Sequence, residues 1–136
     1  MENQTQSISG FSELGVAPSL ITALSALDHL TPTPIQKQAI PIALEGKDVV
    51  GIAQTGTGKT FAFGIPMIQR LAQVKGQGLV ILPTRELAIQ VDEALKTITK
   101  SINLRTAVII GGASSGSQIR MISKNPHIII ATPGRL

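Results

Sequence analysis

Apolar residues change their spacing several times along the chain, and each change marks an element. From Pro18 to Leu30 they recur at Leu20, Ile21, Leu24, Leu27 and Leu30, which lines one face of a helix, and Pro18 suits its first turn. Thr31-Pro32-Thr33-Pro34 breaks that pattern. A short helix is predicted through Ile35, Ala39 and Ile40, bent or restarted at Pro41. Beyond the turn Gly46-Lys47-Asp48, the run Val49-Val50-Gly51-Ile52-Ala53 reads as a buried strand, followed by a glycine-rich loop and a helix from about Lys59 to Gln73. A second strand is expected at Leu79–Leu82, and Thr84 is placed to cap a helix whose apolar face is Leu87, Val91, Leu95 and Ile98. Ala107–Ile110 reads as a third strand, ended by Gly111-Gly112, and a short helix around Gln118 to Ile122 leads to a fourth at Ile128–Ala131. Short, continuously apolar strands alternating with helices predict an α/β fold with a parallel sheet covered on both faces. Residues 1–10 are polar and read as a disordered lead-in to a single domain over residues 11–136.

Composition narrows the possibilities. The 136 residues are 43% hydrophobic and 15% charged, a globular balance. Aromatic residues make up only 2%, all phenylalanine (Phe11, Phe61, Phe63), so base stacking is not how this chain would hold a nucleic acid. Without cysteine there is no disulfide or Cys-based metal site, which suits a reducing cytoplasm. No run is long enough to cross a bilayer, and Met1–Gly10 lacks the pattern of a signal peptide. The net charge of +4 is unevenly spread: residues 1–69 carry three Lys/Arg against five Asp/Glu, residues 70–136 nine against three. A cationic second half suits a polyanionic partner, although solvated helix faces produce the same excess.

The chemistry starts at Ala53-Gln54-Thr55-Gly56-Thr57-Gly58-Lys59-Thr60, between an expected strand and an expected helix. Glycines let backbone N–H groups wrap phosphate oxygens, and the helix N-terminus adds partial positive charge. In such a P-loop Lys59 reaches the β- and γ-phosphates and the Thr60 hydroxyl ligates Mg²⁺, so both are candidate catalytic residues and Thr60 the candidate metal ligand. Ala53 stands where the usual pattern begins with glycine. The loop predicts a nucleoside triphosphate with Mg²⁺ and leaves the base and the work done open.

Four further segments resemble the DEAD-box RNA helicase family, in the family's order. Pro32-Thr33-Pro34-Ile35-Gln36 resembles its Q motif, Pro83-Thr84-Arg85-Glu86-Leu87-Ala88 motif Ia, Gly111-Gly112 the GG element, and Thr132-Pro133-Gly134-Arg135-Leu136 motif Ib. The resemblance runs from Phe11, matching the family's isolated upstream aromatic, to the last residue. It implies a RecA-like P-loop NTPase fold, incomplete at the C-terminus, and a monomeric, cytoplasmic ATP-dependent RNA helicase.

By that resemblance, Gln36 selects adenine, and a side-chain amide suits the paired N6 donor and N7 acceptor. Thr33 braces the P-loop, while Phe11, His29, Gln54, Thr55, Gly56, Thr57 and Gly58 complete the ATP site with Lys59 and Thr60. Pro83, Thr84, Arg85, Gly111, Gly112, Thr132, Pro133, Gly134 and Arg135 are implied to grip the RNA sugar–phosphate backbone without reading sequence. Arginine forks, hydroxyls and close backbone N–H groups suit that task. Singly, the glycines read as turns and Thr84 as a cap; together with the P-loop and Gln36 they read as function.

Two departures bear on this. Asp28 and His29 stand where the family has glycine and an aromatic that stacks on adenine; an imidazole offers less stacking area, which predicts weaker adenine affinity. And nothing reads as Asp-Glu-Ala-Asp: the only acids beyond the P-loop are Glu86, Asp92 and Glu93. A chain truncated ahead of its catalytic acid and second domain is the expectation, with little ATP turnover by itself. A non-catalytic nucleotide- or RNA-binding module and another kind of P-loop NTPase are the competing readings.

Overall fold

The computed structural model describes residues 10–54, 58–111 and 115–135, with the backbone alone for Arg135. Of the expected lead-in over residues 1–10, residues 1–9 lie outside them and Gly10 is helical. The chain groups into two compact units, Met1–Arg70 and Leu71–Leu136.

The first unit is helical. Helix α1 (Pro18–Ala26) has proline in its first turn and buries Leu20, Ile21, Ala23 and Leu24. It stops before Leu30 because the chain turns left-handed at Asp28 (φ 62°). Asp28 N–H donates to Ser25 O (3.1 Å) and His29 N–H to Leu24 O (2.9 Å), the paired bonds of a Schellman motif. Helix α2 (Pro34–Leu44) is longer than its apolar spacing suggests and runs through Pro41 without restarting. Pro41 removes one hydrogen bond near the end of the helix, a loss that the burial of Ala39 and Ile40 in the preceding turn outweighs. Helix α3 (Lys59–Gln73) buries Ala62, Ile65 and Ile68. Its Gln69 carboxamide accepts from Ala17 N–H (2.8 Å) and donates to Gly15 O (3.0 Å), tying α3 to the turn ahead of α1.

One predicted element is absent. Val49–Ala53 forms no strand; Val50 is 92% and Ile52 93% exposed. An apolar run becomes a strand only where neighbouring backbones complete its ladders, and no described strand does so here. The sheet therefore has three described strands rather than four.

That sheet belongs to the second unit. Strands β1 (Gly78–Ile81), β2 (Thr106–Ile109) and β3 (Ile128–Ala131) are parallel in the order β1-β3-β2, each within one residue of its expected position. Leu79 and Ala107 both pair with Ile129, and Ile81 and Ile109 with Ala131, so these side chains share one face. Helix α4 (Arg85–Thr99) packs on β2 and β3. It meets the opposite face, where its buried Asp92 accepts from the Thr106 hydroxyl (2.6 Å) and pairs with Lys96 (3.0 Å). Helix α5 (Ser115–Ser123) sends Met121 against Ala107, Ile109 and Ala131 on the first face. Helices thus cover both faces, as the apolar strands require, while Leu79 and Ile81 at the β1 edge stay half exposed. No helix among the described residues is long and apolar enough to cross a membrane.

Candidate functional site

Two of the expected ATP residues of the first unit, Thr33 and Gln36, meet at Gly58. Thr33-Pro34-Ile35-Gln36 is a capping box: Thr33 Oγ1 accepts from Gln36 N–H (3.4 Å) and Gln36 Oε1 accepts from Thr33 N–H (2.9 Å). The T-x-x-Q spacing already signals this box in the sequence, and with proline at the first helical position it fixes both side chains at the start of α2. Gln36 is 4% exposed, and its Nε2 donates to Gly58 O (3.1 Å). The same carbonyl accepts from Ala62 N–H (3.1 Å) in the first turn of α3. By its inventory of donors and lone pairs, these bonds leave one N–H and one Oε1 lone pair of Gln36 unused.

Gly58 has φ 86°, and a Cβ there would lie 2.5 Å from Gln36 Nε2 and 2.8 Å from Thr33 Oγ1. The backbone at the end of the glycine-rich loop and the capping box therefore fit each other only with glycine. Lys59, exposed, and Thr60, partly buried, open α3 beside this contact. That helix start favours negative charge, and the ammonium and hydroxyl are the donor set a Mg-triphosphate needs. Thr55, Gly56 and Thr57 lie outside the described residues; Gln54 is exposed.

The aromatic candidates divide. His29 is exposed, and its ring meets Phe61 edge-on at 5.0 Å with the planes 70° apart. Phe11 is 2% exposed and belongs to the core, so it supports the unit from within and presents no open face to a ligand. Asp28 explains its own departure: the position is left-handed, which glycine adopts at no steric cost and aspartate tolerates.

The RNA candidates gather at the carboxyl edge of the sheet in the second unit. Pro83, Thr84, Arg85, Gly111, Thr132, Pro133 and Gly134, together with Glu86, line one cleft of about 530 Å³. Thr84 caps α4 by accepting from Leu87 N–H (3.2 Å), so the orphan N–H groups of that helix start face the cleft region with the dipole's positive end. Arg85 Nη1 donates to Gly111 O (3.3 Å), joining two of the expected motifs and leaving most of the guanidinium's donors free for another acceptor. Thr132, 8% exposed, donates its N–H to Ile109 O (3.2 Å). Gly112 and Leu136 lie outside the described residues, as does the side chain of Arg135. Glu86 is the one acid in the lining, in the first turn of α4 where a carboxylate complements the helix dipole. Sequence reasoning did not single out two buried polar side chains, Gln118, which holds Ile110 O at this edge, and Asp92, which holds Thr106 at the amino end of β2.

Residues 33–136 match the DEAD/DEAH box helicase family. The chain is 51% identical over 128 residues to an ATP-dependent rRNA helicase rrp3 of Emericella nidulans, covering 93% of this chain and 28% of the relative. It is likewise 51% identical over 129 residues to the RRP3 protein of Pyricularia oryzae, covering 93% and 24%. Among solved structures, the RNA-helicase Prp28 from Chaetomium thermophilum bound to ADP superposes with a TM-score of 0.81 at 36% identity, over 90% of this chain and 32% of that one. A hypothetical ATP-dependent RNA helicase from Sulfolobus tokodaii gives 0.79 at 36% identity, over 86% and 34%. The chain thus spans about a quarter of the length of these two relatives.

Proposed function

This chain belongs to the DEAD/DEAH box helicase family, and from that premise we propose that it supplies the ATP-binding and first RNA-binding surfaces of a cytoplasmic ATP-dependent RNA helicase. The observation that carries the reading is the Gln36–Gly58 contact, which joins an amide suited to adenine to the backbone that leads into the Lys59 helix. Gln36 would offer its remaining N–H and lone pair to the adenine edge. Lys59 would hold the β- and γ-phosphates and Thr60 the Mg²⁺, with the start of α3 adding its dipole. Bound there, ATP·Mg would supply the free energy for strand separation or the remodelling of an RNA–protein complex.

On the RNA side, Arg85, the Thr84 and Thr132 hydroxyls and the backbone around Gly111 would hold consecutive phosphates of one strand. Contacts of that kind position a strand without reading its bases. The low aromatic content supports the same sequence-independent mode. The names of both fungal relatives above refer to rRNA, and we propose structured RNA of that class as the substrate.

The test is RNA-stimulated ATP hydrolysis and duplex separation by the full-length protein carrying this chain. Turnover that rises with single-stranded RNA and vanishes in Lys59→Ala supports the reading. Turnover indifferent to RNA, or surviving Lys59→Ala, opposes it.

A further inference from the structure

Behind the cleft sits a buried amide that the proposed function does not use. Gln118 in α5 is 3% exposed, and its Nε2 donates to Ile110 O (2.6 Å). Its Oε1 is buried and has no hydrogen-bond partner among the described residues. An amide carbonyl buried without a donor is destabilising, whereas an apolar side chain of similar volume would fill the same space without that penalty. Fold stability alone therefore does not account for glutamine here, so its Nε2 bond becomes the feature to explain.

That bond completes a series. Three successive carbonyls at the end of β2 are each held by a different element: Ile109 O by Thr132 N–H (3.2 Å), Ile110 O by Gln118, and Gly111 O by Arg85 Nη1 (3.3 Å). Thr132 and Arg85 line the cleft; Gln118 does not. The carbonyl of Ile110 and the N–H of Gly111 belong to one planar trans peptide and point in opposite directions. An acceptor turned inward to Gln118 fixes the N–H of the cleft-lining Gly111 on the other side of the backbone.

We propose that Gln118 is a positioning residue for RNA: by holding Ile110 O it aims the Gly111 N–H at a phosphate of the strand in the cleft. The inference rests on the RNA reading of that cleft and adds a residue that never touches the ligand. Gly111 N–H is a neutral donor, so its loss lowers affinity without changing how many counterions binding releases.

The experiment measures binding of a fluorescein-labelled single-stranded oligouridine to the full chain across a salt titration, with Mg²⁺ and a non-hydrolysable ATP analogue. Gln118→Met keeps the volume and removes the donor. Its affinity is expected to fall about three- to tenfold at every salt concentration, the worth of one hydrogen bond, with the salt slope of the parent. Arg85→Ala, by contrast, should lower the slope by about one phosphate contact. Gln118→Met binding within about twofold of the parent overturns the proposal; this threshold lies below the loss expected for one hydrogen bond.

Should Gln118→Met fail to fold, Gln118→Glu decides. A carboxylate has no hydrogen to give Ile110 O, and a protonated carboxyl has one, so RNA affinity is expected to recover toward the parent's as pH falls. A Gln118→Glu affinity that follows the parent's at every pH overturns the role. A parent that does not bind the oligonucleotide at all removes the RNA reading itself, and the Gln118 assignment with it.

Discussion

Gln36 donates from Nε2 to Gly58 O across 3.1 Å, while its Oε1 accepts from Thr33 N–H at 2.9 Å. One buried amide thus closes the cap of α2 and fastens that cap to the start of α3. Anything bound to the free positions of this amide is coupled, through one carbonyl, to the turn that carries Lys59 and Thr60.

Gly58→Ala should damage the ATP site more than its size suggests. The new Cβ would lie 2.5 Å from Gln36 Nε2 at a φ of 86°. The left-handed conformation costs roughly 1–2 kcal/mol for an L residue, and the overpacking adds about 1–3 kcal/mol. A fluorescent ATP analogue should bind at least tenfold more weakly, and the thermal midpoint should fall.

Asp28→Gly should stabilise the protein. Asp28 occupies the left-handed position of the Schellman motif that ends α1, at φ 62°. Glycine removes the strain at the cost of extra freedom in the unfolded chain, for a net gain of about 0.5–1 kcal/mol. Urea unfolding should shift to a higher midpoint with the same slope.

Asp92 and Thr106 should show energetic coupling. Thr106 donates to the 6%-exposed Asp92 at 2.6 Å, and Lys96 lies 3.0 Å from its other oxygen. Asp92→Ala leaves the Thr106 hydroxyl without its acceptor and should cost about 1–3 kcal/mol. The double variant with Thr106→Val should cost less than the sum of the two singles, by at least about 0.5 kcal/mol in a denaturant-melt cycle.

Arg85→Lys should not behave as a conservative change. A lysine keeps the charge yet cannot place one donor on Gly111 O and still present a fork to phosphate. RNA affinity should fall severalfold with the salt slope nearly retained, whereas Arg85→Ala loses about one unit of slope. Salt titrations of oligonucleotide binding separate the two.

How much of this the sequence carries varies with what each element depends on. The three strands were legible within one residue because each is a short, continuous apolar run bounded by turn residues. Val49–Ala53 has the same composition and forms no strand, because a strand is a property of a pair of segments and composition describes only one. Resemblance alone singled out Thr33 and Gln36, and their capping-box spacing accounts for their meeting at Gly58. Phe11 was misplaced among ligand contacts because an isolated aromatic looks the same in sequence whether it faces a ligand or the core. Gln118 and Asp92 gave no signal at all: polar residues on amphipathic helices read as solvated until the sheet shows which face is buried.

The most direct test of the account is a calorimetric titration of the protein with ATP and with GTP, each with Mg²⁺, before and after Gln36→Ala. The account predicts that ATP binds at least about tenfold more tightly than GTP, in line with about 1–3 kcal/mol for a bidentate amide–adenine pair, and that Gln36→Ala erases the difference. Equal affinities in the parent, or a preference that survives the substitution, would contradict it.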